Sequence, residues 1–188
     1  HRGSTIIAEG ELRMNGQHIR TDAQATWYVL TNATLSGTGL IQTMGGVVVS
    51  DFGRIAPGAS AGTLTIDGNL SLSDKSVLAF ELSGSDQTVG GGVNDLIDGV
   101  NNLTLDGVLE VTPLASFAGA SVGDFWTLIR YDNILTDNTL DISAGTQALL
   151  GGGKSFAIDT SVANEIRLVI VPEPSTLGLF GLVSFGVL

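Results

Sequence analysis

The feature that most constrains this chain is an alternation of apolar and polar residues in the stretch 53–72, GRIAPGASAGTLTIDGNLSL. The apolar side chains on its even positions are Leu64, Ile66, Leu70 and Leu72. A period of two is typical of one buried face of a β-strand. The alternation continues through the cluster Asp67-Gly68-Asn69, whose composition is typical of turns. We therefore predict two strand segments with a bend between them and a single apolar face.

The same alternation returns in the stretch 101–111, NNLTLDGVLEV. The two copies share the frame x-L-T-[IL]-D-G-x-L-x-[LV] and lie 39 residues apart (103 − 64 = 39). The apolar residues of the second copy are Leu103, Leu105, Leu109 and Val111. A repeat of short strands and Gly/Asn/Asp-rich turns is typical of stacked architectures. We predict that all eight apolar residues of the two copies point into one core.

Two geometries keep these apolar residues on one face. A two-residue hairpin loop at Asp67-Gly68 would place Ile66 opposite Asn69 and divide the face. A three-residue loop, which pairs Ile66 with Leu70, restores the face, and so does a bend after which the chain runs on without reversing. The second geometry belongs to a parallel β-helix, in which the repeat spacing equals about two coils of roughly 20 residues. We predict an all-β fold with a right-handed parallel β-helix over 1–170, and the alternative is an antiparallel β-sandwich.

The string GRIAPGASAGTLTIDGNLSL also resembles the repeat segment of autotransporter-type passenger domains, which are secreted β-helical proteins of bacterial surfaces. In that family a stretch of the form I-A-P-G-x-S-x-G-T-L recurs between short strands. The matching positions are Ile55, Ala56, Pro57, Gly58, Ser60, Gly62, Thr63 and Leu64. The resemblance is clearest over 37–111. It implies a scaffold, since it carries no catalytic residue with it.

The stretch 171–188, VPEPSTLGLFGLVSFGVL, differs in composition from the rest of the chain. Its two prolines are expected to end regular strand pairing, and no charged residue occurs from Leu177 onward. As a helix this apolar run would span about 18 Å, compared with roughly 30 Å of bilayer hydrocarbon. We predict that 171–188 is a separate segment and that 177–188 forms a short apolar helix, the first half of a membrane span.

The order V-P-E-P-S ahead of an apolar run resembles the PEP-CTERM sorting signal of exported bacterial proteins. In that family the signal comprises a Pro-Glu-Pro motif, a transmembrane helix and an Arg-rich end, and a membrane exosortase is thought to recognise and cleave it. The matching residues are Val171, Pro172, Glu173, Pro174 and Ser175. Because the sequence stops at Leu188 without arginines, we expect the signal to be truncated. The resemblance implies export, transient anchoring in the membrane through the C-terminus, and an exosortase-type processing enzyme as a partner.

Composition argues against several classes of function. A formal net charge of −11 with only two lysines leaves no basic patch for nucleic acid. The chain has no cysteine, which excludes thiolate chemistry and a disulfide framework. Its histidines, His1 and His18, have no second ligand at a metal-binding spacing. We therefore predict no catalytic, cofactor-binding or metal-binding residue.

Two further interpretations concern polar and aromatic residues in the second half. The enzymatic alternative is a β-helical polysaccharide lyase or other glycan-active enzyme that uses Asp95 and Asp98 for Ca²⁺ and Arg130 as a base. We favour ordinary turn residues and a solvated arginine for all three. Trp126 and Tyr131 would suit a ligand-stacking platform, but we favour bulky rings that cap the last coil.

Together these observations predict an exported, adhesin-like structural protein of the bacterial cell surface or extracellular space. Extracellular polysaccharide is the expected partner, and the export signal is expected upstream of His1.

Overall fold

The computed structural model describes residues 3–20 and 25–173. Strands make up nearly all of the regular structure, and the described helices are one 3₁₀ turn at Phe117–Gly119 and the short α1 at Ala144–Gln147. The strands are β1 (Thr5–Ile7), β2 (Gly10–Arg13), β3 (Gln17–Arg20), β4 (Trp27–Val29), β5 (Ala33–Gly37), β6 (Leu40–Thr43), β7 (Val47–Val49), β8 (Arg54–Pro57), β9 (Thr63–Leu72), β10 (Val77–Ser83), β11 (Leu96–Leu105), β12 (Val108–Ala115), β13 (Phe125–Tyr131), β14 (Leu135–Asp137), β15 (Asp141–Ile142), β16 (Lys154–Asp159) and β17 (Glu165–Pro172). The prediction of an all-β fold is confirmed.

The strands form two sheets, and the chain passes repeatedly from one to the other. The eleven-stranded sheet has the order β1-β4-β7-β9-β11-β13-β17-β16, with β3, β6 and β14 paired alongside. The six-stranded sheet has the order β15-β12-β10-β8-β5-β2. Pairing is parallel throughout β1 to β15, so each pass lays its strands beside those of the pass before. This parallel pairing is incompatible with an antiparallel sandwich for that part of the chain.

The number of residues in one pass differs from the predicted value. Thr34 pairs with Arg54, a step of 20 residues (54 − 34 = 20), whereas Val77 pairs with Val108, a step of 31 (108 − 77 = 31). The later passes are longer because they carry loops, such as the one between β10 and β11. Strands β9 and β11 are neighbours, so the first half of the second copy lies one pass away beside the second half of the first copy, with Leu70 opposite Leu103. The prediction that two 20-residue coils separate them is wrong.

The two Asp-Gly pairs of the repeat occupy different places in the fold. Asp67-Gly68 lies inside β9, whose first part pairs with β6 and whose second part pairs with β7. Asp106-Gly107 lies between β11 and β12, where the chain changes sheets, and Gly107 has a φ of +89°. A Cβ at Gly107 would lie 2.5 Å from the Ser76 carbonyl oxygen, so this position requires glycine. Neither pair forms a hairpin, as the bend without reversal predicts.

The core lies between the two sheets and is aliphatic along most of its length. Seven of the eight repeat residues are at most 4% exposed, namely Leu64, Ile66, Leu70, Leu72, Leu103, Leu105 and Leu109. Val111 is half-buried and packs against the margin of this cluster. Short strands bury too little surface to be stable alone, so the stacking of these side chains from pass to pass stabilises the fold.

Aromatic side chains close the core near its C-terminal end. Phe117, Trp126 and Phe156 are at most 3% exposed and pack edge to face, with ring centroids 5.0 to 6.3 Å apart. The Trp126 Nε1–H donates a hydrogen bond to the Ser83 carbonyl at 2.8 Å. Strands β17 and β16 pair antiparallel beside β13 at this end of the sheet. Trp126 and Tyr131 are both buried, which argues against an exposed stacking platform, and their role as a cap of the last coil stays a prediction.

The final strand extends past the predicted boundary at residue 170. Val171 pairs with Ser155 and Pro172 with Lys154, so the expectation that pairing ends before Val171 is wrong. Pro172 is accommodated because it is the last residue of β17, and the next hydrogen bond runs from the Glu173 N–H to the Gly153 carbonyl at 3.0 Å.

The predicted helix at 177–188 lies outside the described residues. Within residues 3–20 and 25–173, no helix is long and apolar enough to cross a membrane. The division of the chain into 1–170 and 171–188 stays a prediction.

Candidate functional site

The stretch that matches the passenger-repeat pattern builds a corner beside a cavity on the outer face of the six-stranded sheet. The chain leaves β8 at Pro57 and turns through 58–62 into β9. The cavity has a volume of about 210 Å³. We call it the corner cavity, and the lining residues that matter below are Glu11, Arg13, Arg54, Ala79, Glu81 and Asp95.

Two glycines explain why the corner has its particular sequence. Gly58 has a φ of +90°, and its N–H and carbonyl form hydrogen bonds with Gly37 at 2.9 and 3.0 Å. A Cβ at Gly58 would overlap the Ser60 carbonyl oxygen, and a Cβ at Gly62 would lie 2.7 Å from the Thr38 Cγ2. Backbone conformation and close approach therefore both select glycine in the I-A-P-G-x-S-x-G match.

Asp95 is the buried carboxyl group of this corner. It is 1% exposed, and its Oδ1 accepts a hydrogen bond from the Gly62 N–H at 2.8 Å, while its Oδ2 accepts one from the Glu81 N–H at 2.6 Å. These bonds join the corner to β10 and to the residue that precedes β11. A buried N–H without a partner costs about 1–3 kcal/mol, so Asp95 has a structural role. Sequence reasoning considered Asp95 as a lyase carboxylate, favoured an ordinary turn residue, and missed this role.

The surroundings of Asp95 raise the pKa of its carboxyl group. Burial raises its pKa from 3.8 to about 7, against the two backbone hydrogen bonds, which lower the pKa. The negative charge of Glu81 raises it further. The Oε2 atom of Glu81 is itself inaccessible to solvent and has no hydrogen-bond partner in the described part of the chain. Two carboxyl groups therefore meet in the corner cavity with few groups to neutralise them.

The arginines that line the corner cavity are already paired with other residues. Arg54 Nη1 lies 2.6 Å from Glu110 Oε2, and Arg13 Nη2 lies 3.0 Å from Glu11 Oε1. Glu11 also accepts a hydrogen bond from the Ser36 hydroxyl, which lowers its pKa together with the Arg13 hydrogen bond. Pairs this exposed add little stability. They do engage both guanidinium groups, and among residues 3–20 and 25–173 no ion pair joins a cationic side chain to Asp95 or Glu81.

The structure does not assemble the three lyase candidates into one site. Asp98 lies on β11 opposite Thr65, and Arg130 lies on β13 with its Nε 3.7 Å from Glu165 Oε1. Asp98 and Arg130 follow the paired residues Ile97 and Ile129, but across the described residues no hydrogen bond or ion pair joins Arg130 to Asp98 or Asp95. In residues 3–20 and 25–173, no three His, Asp or Glu side chains are grouped to hold a metal ion.

A second cavity, of about 230 Å³, lies at the bend of β9 in the other sheet. Its carboxyl group, Asp67, is exposed and accepts a hydrogen bond from Gln42 Nε2 at 2.6 Å. Asn69 beside it accepts a hydrogen bond from the Asn102 side chain at 2.9 Å. Because these groups satisfy one another, we regard the corner cavity as the candidate site.

The residues predicted to form the sorting motif lie at the end of the described chain. Val171 and Pro172 belong to β17 and Glu173 follows that strand, whereas Pro174 and Ser175 lie outside the described residues. Their role in sorting stays a prediction.

No known protein-family profile matches the chain. The chain is similar to the adhesin BmaC autotransporter of Brucella suis biovar 1 (strain 1330), with 47% identity over 125 residues. The matched region covers 65% of this chain and 3% of that protein, so the chain spans a small part of the relative's length. This similarity supports the autotransporter-like passenger character that the repeat pattern indicates.

Proposed function

We propose that this chain is part of an exported, adhesin-like protein of the bacterial cell surface and that its role is structural and non-enzymatic. The observation that carries the proposal is the 47% identity over 125 residues to an autotransporter adhesin. The corner in the stretch 53–72 agrees with this proposal, because Gly58, Gly62 and Asp95 all form hydrogen bonds that hold the backbone in place.

The proposal includes a right-handed parallel β-helix as the complete architecture. Parallel pairing of successive passes and the leucines stacked between the sheets support it. A fold of this type grows by adding passes and displays outward side chains at the strand spacing of about 4.8 Å. Such a rod suits a protein that presents a contact surface at a distance from the membrane.

Sorting through the V-P-E-P-S motif belongs to the same proposal. An exosortase-type enzyme would cut near residues 172–175 while 177–188 holds the chain at the membrane, and extracellular polysaccharide would be the partner at the surface. The sequence order Pro172-Glu173-Pro174 ahead of an apolar run supports the sorting step. Pro172 pairs with Lys154, so the backbone at Pro172 is held in the sheet. A protease would have to cut after Glu173, or the end of β17 would first have to detach from β16.

The adhesin-like role is tested by displaying residues 1–188 on a non-adherent bacterium and measuring attachment to films of extracellular polysaccharide and to host cells. Attachment should rise severalfold over that of a bacterium that displays Leu105→Asp, whose core is disrupted. Wild-type protein that is folded and displayed yet gives no increase would contradict the proposal. In a parallel assay on acidic polysaccharides with and without Ca²⁺, turnover that disappears in Arg130→Ala would establish the enzymatic alternative.

A further inference from the structure

We propose that Asn32 is an acceptor for N-linked glycosylation and that the attached sugar packs against the exposed ring of Phe52. The inference rests on the proposed function, since an exported protein of the cell surface presents its corners to the surroundings. It assigns a modification to the corner between β4 and β5. In the described chain this corner is separate from the residues that line the corner cavity.

Three asparagines of the chain lie in the pattern Asn-x-Ser/Thr, which is the acceptor pattern of N-glycosylation. The three matches are Asn32-Ala33-Thr34, Asn69-Leu70-Ser71 and Asn102-Leu103-Thr104. The pattern alone does not select an acceptor, because a transferase must also reach the side-chain nitrogen. The structural settings of the three asparagines differ, and this difference selects one of them.

Asn32 is the accessible asparagine of this set. It is exposed and lies in the turn between β4 and β5, with a φ of +62°. Within residues 3–20 and 25–173 its side chain forms no hydrogen bond. Thr34, which supplies the hydroxyl of the pattern, is half-buried on β5. A transferase can therefore reach the Asn32 amide without breaking any side-chain contact within these residues.

The other two asparagines are half-buried in strands and bonded to each other. Asn102 Nδ2 donates a hydrogen bond to Asn69 Oδ1 at 2.9 Å, and the Asn102 N–H donates to the same oxygen at 3.2 Å. The Asn102 Oδ1 atom accepts a hydrogen bond from the Ile134 N–H at 3.3 Å. A transferase would have to break these bonds and lift β9 or β11 out of the sheet. We therefore expect Asn69 and Asn102 to stay unmodified.

Phe52 is a second, independent indication that this corner holds a ligand. Its carbonyl accepts a hydrogen bond from the Asn32 N–H at 3.1 Å, so the two residues occupy corresponding corners of consecutive passes. Phe52 is 56% exposed and has a φ of +60°. A positive φ is an outlier for a bulky residue, and a phenyl ring in water gains nothing from hydrophobic burial. Strained residues of this kind cluster at functional positions.

A sugar on Asn32 would cover the Phe52 ring. Neighbouring passes are about 4.8 Å apart, so a pyranose linked to Asn32 Nδ2 can reach a ring in the next pass. The C–H groups on one face of a pyranose are apolar, and their contact with the ring removes apolar surface from water. The exposed position of Phe52 is then explained by the sugar that covers it.

The transfer requires an activated sugar, because an amide nitrogen is a weak nucleophile. The donor is a hexose whose anomeric carbon is bonded to the diphosphate of a nucleotide or of a lipid. A transferase of the host directs Asn32 Nδ2 to this carbon. The new C–N bond forms as the C–O bond to the diphosphate breaks. The diphosphate leaves with the electron pair of the broken bond, and one Nδ2 proton passes to a base of the transferase.

The test is peptide mass spectrometry of the protein isolated from its native host. Trypsin cuts after Arg20 and Arg54, so Asn32 is the only asparagine of the peptide 21–54. This peptide should carry hexose, and the peptide 55–75, which contains Asn69, should be unmodified. A population with a single hexose would identify a nucleotide-activated donor, and a preassembled oligosaccharide would identify a lipid-linked donor.

Matched variants separate an N-linked sugar from a sugar on a hydroxyl of the same peptide. Asn32→Gln and Thr34→Ala should each lose the modification, whereas Thr34→Ser should keep it because the hydroxyl is retained. Phe52→Ala should still be glycosylated. Removal of the sugar with an amidase should lower the melting temperature of the wild type by about 2–4 °C more than that of Phe52→Ala.

The proposal is overturned if the peptide 21–54 carries no sugar, if the sugar persists in Asn32→Gln, or if Asn69 is modified as fully as Asn32. Packing against Phe52 is overturned if removal of the sugar affects the wild type and Phe52→Ala equally. Attachment of displaying bacteria is measured separately. A chain that supports attachment but carries no sugar on Asn32 would remove this inference and leave the proposed function in place.

Discussion

The Oδ1 atom of Asp95 accepts a hydrogen bond from the Gly62 N–H at 2.8 Å across 33 residues of sequence. Gly62 belongs to the repeat motif, and Asp95 lies in the next pass of the chain, immediately before β11. The corner is therefore completed by a carboxyl group from outside the motif. The conformation of residues 58–62 is therefore expected to depend on Asp95, which is distant in the sequence.

Stability should depend on pH through Asp95. Its pKa is about 7 in the folded protein and near 3.8 when the chain is unfolded. Between these values the folded state holds the extra proton, so this group's contribution is fully present below about pH 3.8 and is lost as the pH rises through 7. The loss should be on the order of 2–3 kcal/mol between pH 4 and pH 8. Urea unfolding at several pH values measures it.

The matched variant for this prediction is Asp95→Asn, which cannot ionise. Its unfolding free energy should lack the decline between pH 4 and pH 8. The same pH dependence in the wild type and in Asp95→Asn would show that Asp95 has an ordinary pKa.

Gly58→Ala should destabilise the protein by at least about 2 kcal/mol, because the new Cβ meets both a positive φ and the Ser60 carbonyl oxygen. Gly92→Ala is the matched control. Gly92 also has a positive φ, +77°, but a Cβ there would have no atom within 4 Å. Its cost should be about 1 kcal/mol. Equal melting temperatures for the two variants would contradict the corner geometry.

Leu105→Asp should cost several kcal/mol, because Leu105 is completely buried and an aspartate there would be an unpaired charge in the core. The same substitution at Leu114, which is 44% exposed on β12, should cost little. Circular dichroism during thermal unfolding compares the two. A Leu105→Asp variant as stable as Leu114→Asp would place Leu105 outside the core.

In the native host, with its complete C-terminus, Glu173→Ala or deletion of the Pro-Glu-Pro motif should block release of the protein from the membrane to the surface. Cell fractionation and the mass of the released chain measure this. The control is Glu9→Ala, which changes an exposed glutamate that is distant from the motif in the sequence. Release of both motif variants at the wild-type rate would show that the motif is a chance match.

Sequence periodicity predicted the inward-facing residues well, because alternation at Leu64, Ile66 and Leu70 is a direct consequence of strand geometry. It could not predict that Leu70 pairs with Leu103. That register depends on the length of the loop after β10, and a loop leaves no periodic signal. The same Asp-Gly pattern also occurs in two different structural settings, inside β9 at Gly68 and between β11 and β12 at Gly107. The pattern alone therefore does not predict whether the chain changes sheets.

The candidate site was largely invisible in the sequence. Asp95 and Glu81 are brought together by the loop between β10 and β11, which leaves no periodic signal, and a single aspartate in a polar stretch is typical of turns. The resemblance of 53–72 to a passenger repeat included Gly58 and Gly62, but the bend predicted from the sequence was at Asp67-Gly68-Asn69, and the corner at 58–62 was not predicted. At Pro172 the sequence predicted that strand pairing would end too early. A strand can end on proline, because the last residue does not have to donate a backbone hydrogen bond to the neighbouring strand.

The parallel stacking of successive passes is tested most directly by cysteine cross-linking, because the chain has no cysteine of its own. Ser71 and Thr104 are paired on β9 and β11, and neighbouring strands bring Cα atoms within the range that a disulfide spans. The pair Ser71→Cys and Thr104→Cys should form a disulfide on mild oxidation. The pair Ser71→Cys and Glu110→Cys, which matches the 39-residue repeat spacing, should not, since Glu110 lies in the other sheet. Cross-linking of the second pair and not the first would contradict the register and with it the proposed architecture.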